Sequence, residues 1–154
     1  MVATEADDLP GHCLSRLAPY FAQVASGKIN GHALPTAIQV ADDVIVVDAN
    51  HRCAYPAMAL AIEKLGALTP KTGVALAAVT HSHHCGAAGY HVEALAKQGL
   101  IGLMFPKRLP HGAARGECSV QIQSPLRRRA SKKTLVIDMS LSKVARGKIP
   151  ISSQ

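Results

Sequence analysis

Residues 74–90 read Val74-Ala75-Leu76-Ala77-Ala78-Val79-Thr80-His81-Ser82-His83-His84-Cys85-Gly86-Ala87-Ala88-Gly89-Tyr90. The first six are apolar or small, with a β-branched residue at each end, and predict a buried strand over 74–79. A polar, histidine-rich turn follows, then a helix over about 87–99. A strand that runs through a turn into a helix is the building unit of an α/β chain. Three histidines at the carboxyl end of such a strand lie where α/β proteins place their ligand sites.

Outward from this stretch the same alternation continues. Residues 12–27 predict a helix, with Leu14, Leu17, Phe21 and Val24 recurring at three- and four-residue steps and Gly27 as its stop. A Gly-, Asn- and Pro-containing connection covers 28–35. Residues 44–47 are a β-branched run and predict a strand. Residues 56–65 predict a helix with Pro56 in its first turn, where a missing N–H costs nothing. Residues 100–105 predict a third strand and 134–137 a fourth, ending at Asp138. Between them, 106–133 shows no sustained period of 2 or 3.6, which is unusual inside a compact α/β chain. No internal repeat is visible.

The chain has 154 residues, 48% hydrophobic and 18% charged, enough to bury a core and too apolar for general disorder. It has no apolar run of about 18 residues or more that could span a membrane. Met1 to Pro10 is acidic and lacks the apolar segment of a secretory signal. Cys13, Cys53, Cys85 and Cys118 have no regular spacing, so reduced thiols in a cytoplasm are expected. The net charge is +7, but residues 106–154 hold eleven basic residues against Glu117 and Asp138, while 1–105 hold six basic and eight acidic. A near-neutral globular part is therefore followed by a basic segment of charge +9. With no Trp and 3% aromatics, little is available for stacking on bases, and Arg127-Arg128-Arg129 reads as a solvated run rather than a nucleic-acid module.

The histidine turn admits two chemistries on its residues alone. His81, His83, His84 and Cys85 are zinc-ligand types close in sequence, and Thr80-His81-Ser82-His83 resembles the opening of a metallo-β-lactamase site. That motif continues with Asp-His where this chain has Cys85-Gly86, so a zinc-dependent hydrolase is the alternative rather than the expectation, and no metal is assigned. The bland alternative is that these histidines are strand-end residues without a catalytic role.

A resemblance reaches further along the chain. Gly11-His12-Cys13-Leu14-Ser15-Arg16-Leu17-Ala18-Pro19-Tyr20 resembles the Ser-His-Gly-x-x-Arg-x-x-x-Tyr segment of the type-2 malate/L-lactate dehydrogenase family. That family includes ureidoglycolate and sulfolactate dehydrogenases, diketogulonate reductase and piperideine-2-carboxylate reductase. Gly27-Lys28-Ile29-Asn30-Gly31 fits the segment that follows. Ser82 to Tyr90 resembles its Ser-Asn/His-His-Phe-Gly-Ala-Ala-x-Tyr signature. Leu135-Val136-Ile137-Asp138-Met139-Ser140 and Val144-Ala145-Arg146-Gly147 resemble its cofactor-side strand and helix. The resemblance covers about 3–105 and 131–149. It implies an α/β, non-Rossmann fold and an NAD- or NADP-dependent oxidoreductase, acting on small 2-hydroxy or 2-oxo acids or on cyclic imino acids. By motif position it implies His84 as acid/base, His12 as a second active-site histidine, Arg16 and Tyr20 at the substrate, and Asp138, Met139 and Ser140 at the cofactor. The family works as a homodimer, with neither membrane nor nucleic acid as partner.

The departures are as specific as the matches. Cys13 replaces Gly, Cys85 replaces Phe, and His51-Arg52-Cys53 stands at a turn where glycines are expected, so bulky residues would be strained there at φ > 0. The family's Phe-Gly-Thr-Asn-Pro-Ile-Ala-Phe-Ala-Ala-Pro motif is absent. Yet codons made from the last base of one residue and the first two of the next, across Cys118 to Arg129, permit every position of it. We expect a frameshift between about Phe105 and Glu117, restored near Ser131. The expected organisation is therefore 1–105 as the N-terminal dehydrogenase part, 106–130 as an irregular basic segment, 131–149 as a cofactor-side remnant and 150–154 as a tail. The fold is expected to be incomplete at both ends, a truncated, pseudogene-like product with impaired activity.

Overall fold

The computed structural model describes residues 16–106 and, for the backbone alone, residues 121–122. The elements are α1 (Leu17–Ala25), β1 (Thr36–Ala41), β2 (Val44–Asp48), α2 (Ala54–Thr72), β3 (Leu76–Thr80), α3 (Ala88–Lys97), β4 (Leu103–Met104) and β5 (Gln121–Ile122). β1 and β2 form an antiparallel hairpin through Asp42 and Asp43, with Ile38 opposite Val46. β2 and β3 are parallel, with Asp48 opposite Thr80, and α2 is the crossover that parallel strands require. The sheet order is β1-β2-β3, and β4 and β5 make a separate two-stranded ladder.

Period-2 alternation along β2 sends Ile45 and Val47 to one face, where they are buried with Ala49. α2 lies on that face through Ala57 and Ala61, whose small side chains let the helix approach closely, and Leu60, Leu65 and Leu68 close the edges. Val47 is fully buried at the centre of this cluster. α3 buries Ala88, His91 and Val92 on one face, at the three- and four-residue steps of a helix.

Several expectations need correction. β1 falls just past the predicted connection and is not among the predicted strands; Thr36-Ala37-Ile38-Gln39-Val40-Ala41 is mostly exposed, so its composition lacks a clean apolar face. It pairs all the same, because β2 offers it an open edge. α2 runs from residue 54 to 72 rather than 56 to 65. It continues through Gly66, where the Gln98 side chain takes the space a Cβ would occupy. It also passes Pro70, in its last turn. The predicted stripe of α1 is not core: Leu17, Phe21 and Val24 are exposed, and no residue of this helix is buried. The third strand contracts from 100–105 to two residues, and β5 adds a strand inside the segment that showed no period. The expected strand over 134–137, the start of the first helix and Leu14 lie outside the described residues.

Candidate functional site

The site is built at the carboxyl ends of β2 and β3, where their ladder continues into the loops. Ala49 N–H donates to the Thr80 carbonyl, His51 N–H to the His81 carbonyl at 2.8 Å, and His83 N–H to the Arg52 carbonyl. Two loops are thereby laced together, and the 80–86 turn is held over residues 49–53. The connection before β1 is tied in below: Asn50 Nδ2 donates to the Leu34 carbonyl and Arg52 Nη1 to the Ala33 carbonyl.

This lacing forces backbone strain. Asn50 (φ 49°), His51 (φ 60°) and His81 (φ 45°) sit in the left-handed region without being glycine. Asn and His tolerate it better than most residues, at a cost of roughly 1–2 kcal/mol each. The strain expected of bulky residues at 51–53 is found at His51. Part of the cost is offset locally. Asp48 accepts the Asn50 N–H at 2.7 Å and the His81 Nδ1–H at 2.9 Å, and the His51 and His81 rings pack at a tilt of 41° with centroids 5.1 Å apart. The Asn50 N–H, then His81, holds the Asp48 carboxyl below its ordinary range.

The 80–86 turn delivers His84 to Tyr20 of α1. The Tyr20 hydroxyl lies 2.7 Å from His84 Nδ1, and the Gly86 N–H donates to the same nitrogen at 3.0 Å. A backbone N–H can only donate, so Nδ1 is the acceptor, its single lone pair shared by the Gly86 N–H and the Tyr20 O–H. Burial pushes Tyr20 well above the ordinary phenol range, with Tyr55 adding to the rise. Tyr20 therefore stays a donor at neutral pH. Arg16, half-buried at the N-terminal cap of α1, acts on Tyr20 in the opposite sense through its charge. Tyr55 is hydrogen-bonded to Tyr20, and burial raises its phenol as well.

Thus the structure brings Arg16, Tyr20 and His84 to one rim. His12, Asp138, Met139 and Ser140 lie outside the described residues. Sequence reasoning missed Tyr55, the Asp48–His81 pair and His91. His91 is 4% exposed and donates Nε2–H to the Cys85 carbonyl at 2.7 Å. The spacing of 88, 91 and 92 on one helical face was its available signal. The zinc alternative needs His81, His83, His84 and Cys85 to converge on one point. Among the described residues no group of three His, Cys, Asp or Glu is placed to hold a metal ion. A groove of about 640 Å³ between α2 and α3 is lined by Tyr55, Ile62, Tyr90 and His91.

An imidazole held by a phenol, beside a guanidinium, thus stands over the carboxyl ends of the parallel strands β2 and β3. The comparisons supply the class. The chain belongs to the malate/L-lactate dehydrogenase family, whose profile matches residues 1–154. It is 40% identical to a (2R)-3-sulfolactate dehydrogenase (NADP(+)) of Chromohalobacter salexigens, covering 100% of this chain and 47% of the relative. It is 31% identical to a Delta(1)-pyrroline-2-carboxylate/Delta(1)-piperideine-2-carboxylate reductase of Pseudomonas putida, covering 99% and 46%. Among solved structures, the delta1-piperideine-2-carboxylate reductase of Pseudomonas syringae pvar. tomato superposes with a TM-score of 0.81 at 31% identity, covering 94% of this chain and 45% of that one. A malate dehydrogenase of Entamoeba histolytica gives 0.80 at 21% identity, covering 95% and 42%, which speaks to the fold alone. The chain spans about half the length of the curated relatives it matches.

Proposed function

We propose that this chain is part of a cytoplasmic NAD(P)-dependent oxidoreductase acting on a small 2-hydroxy or 2-oxo acid, such as a sulfolactate- or malate-like substrate, or on a cyclic imino acid. The observation that carries the reading is the Tyr20–His84 contact beside Arg16, in a chain similar over its whole length to a sulfolactate dehydrogenase. When bound, the nicotinamide supplies the hydride, which no side chain can provide. The donor set fits the other half of that chemistry. His84 gives or takes the proton at the substrate oxygen or nitrogen, a task suited to imidazole near neutral pH. Tyr20 orients it, and Arg16 offers a planar, two-pronged donor for the substrate carboxylate. His12 is the second active-site histidine, and Asp138, Met139 and Ser140 hold the cofactor. Among the described residues no helix is long and apolar enough to cross a membrane.

We also propose that residues 118–129 are read out of frame, and that the 154-residue polypeptide alone therefore has little or no dehydrogenase activity. The coding sequence between codons 105 and 131 decides the first part: the offset frame should spell Phe-Gly-Thr-Asn-Pro across residues 118–123, and any other reading removes the idea. For the second part, NAD(P)H oxidation by the purified chain is followed with pyruvate, oxaloacetate or piperideine-2-carboxylate. The expected rate is background. Turnover in the ordinary enzyme range of about 1–1000 per second would show that the basic segment does no harm.

A further inference from the structure

We propose that His91 sets the tautomer of His84 through the peptide group that joins Cys85 to Gly86. The inference rests on His84 being the proton-handling group of the proposed reaction. His91 then becomes a positioning residue for it, buried in α3 and acting through the backbone rather than on the substrate.

One peptide unit connects the two histidines. Its carbonyl, on Cys85, accepts the His91 Nε2–H at 2.7 Å, and its N–H, on Gly86, donates to His84 Nδ1 at 3.0 Å. In a planar trans peptide these two groups point in opposite directions from one rigid plane. Fixing the carbonyl therefore aims the N–H. A carbonyl can only accept, so His91 carries its proton on Nε2. It is 4% exposed, and burial holds its pKa below the ordinary imidazole value, which keeps it neutral. The rings of Tyr55 and Tyr90 pack at 6.2 and 5.6 Å from its centroid and fix its plane. Polarised at its oxygen by His91, the peptide is a better donor at its nitrogen, because hydrogen bonds in a chain strengthen one another.

The consequence falls on His84. With Nδ1 committed as an acceptor to the Gly86 N–H and the Tyr20 hydroxyl, the neutral ring carries its proton on Nε2. His84 then gives its proton from Nε2 in the reductive direction and receives it there in the oxidative one. Had the peptide turned over, its carbonyl would face Nδ1 and call for a proton there instead. Gly86 lets the arrangement exist: its φ is 77°, and the Tyr55 hydroxyl occupies the place of a side chain.

The test is made on the nitrogen-15-labelled full chain at mildly alkaline pH. We expect a hydrogen-bond-mediated nitrogen–nitrogen coupling between the Gly86 amide and His84 Nδ1, together with the imidazole pattern of an Nε2–H tautomer. In His91→Phe the coupling is lost and His84 becomes a mixture of tautomers, while His91→Gln, whose amide reaches the same carbonyl, restores both. Should the Phe variant fail to fold, His91→Asn, too short to reach, takes its place against His91→Gln. The proposal is overturned if the parent shows no such coupling. It is equally overturned if a folded His91→Phe or His91→Asn chain keeps both signatures. None of these readouts needs turnover. A His84 that proves unnecessary for catalysis would leave the coupling in place and sink only the functional reading.

Discussion

Replacing Gly86 by alanine is expected to destabilise the chain by about 2–4 kcal/mol, read as a fall in the denaturation midpoint at unchanged slope. Two independent costs add. The residue sits at φ 77°, where an L side chain is strained by roughly 1–2 kcal/mol. The new Cβ would also stand 2.5 Å from the Tyr55 hydroxyl oxygen and 3.0 Å from a Tyr55 ring carbon. Real carbon atoms do not approach so closely, so Tyr55 must swing away, at roughly 1–3 kcal/mol for displacing a packed group. That movement breaks its hydrogen bond with Tyr20 and its contact with the His91 ring. The damage therefore spreads to both supports of His84. A loss below about 0.5 kcal/mol would mean that the turn is not held as described.

The parts of the fold legible in the sequence were those with a strong period. β2, α2, β3 and α3 announce themselves through Val44 to Val47, the Ala- and Leu-rich run from Pro56, the apolar run before Thr80 and the small residues after Gly86. β1 was not legible because its residues are mixed and exposed, and a partner strand rather than composition makes it a strand. The helix over 56–65 continues past Gly66, where the Gln98 side chain, far along the chain, takes the space of a Cβ. The apolar spacing of Leu17, Phe21 and Val24 correctly marked a helix but not a buried face, since periodicity records which residues share a side and not what covers it.

At the site, motif position singled out Arg16, Tyr20 and His84, and the structure places these three together. What the sequence could not convey is how His84 is held. Tyr20 lies 64 residues away, and the Gly86 N–H bond depends on one peptide's orientation rather than on a residue type. His91 looked like an unremarkable helix residue because its role passes through a backbone carbonyl. The strain at His51 was foreseeable from the missing glycines. Its companion at His81 follows only from the pairing of two loops.

The second large effect concerns His84 itself and is free of the basic segment's influence if residues 16–106 are grafted in place of the matching stretch of the Chromohalobacter salexigens sulfolactate dehydrogenase. Removing a positioned acid or base typically lowers a rate by about 10²–10⁴-fold. Glutamine is close to imidazole in length and polarity but cannot exchange a proton near neutral pH, so His84→Gln removes the chemistry while keeping a polar side chain of similar reach. The measurement is the kcat for NADP-dependent sulfolactate oxidation by this chimaera, before and after the His84→Gln substitution. The account predicts an active parent and a fall of about 10²–10⁴-fold in kcat, with KM for NADP little changed. An inactive parent chimaera, or a His84→Gln variant within about tenfold of an active one, would contradict it.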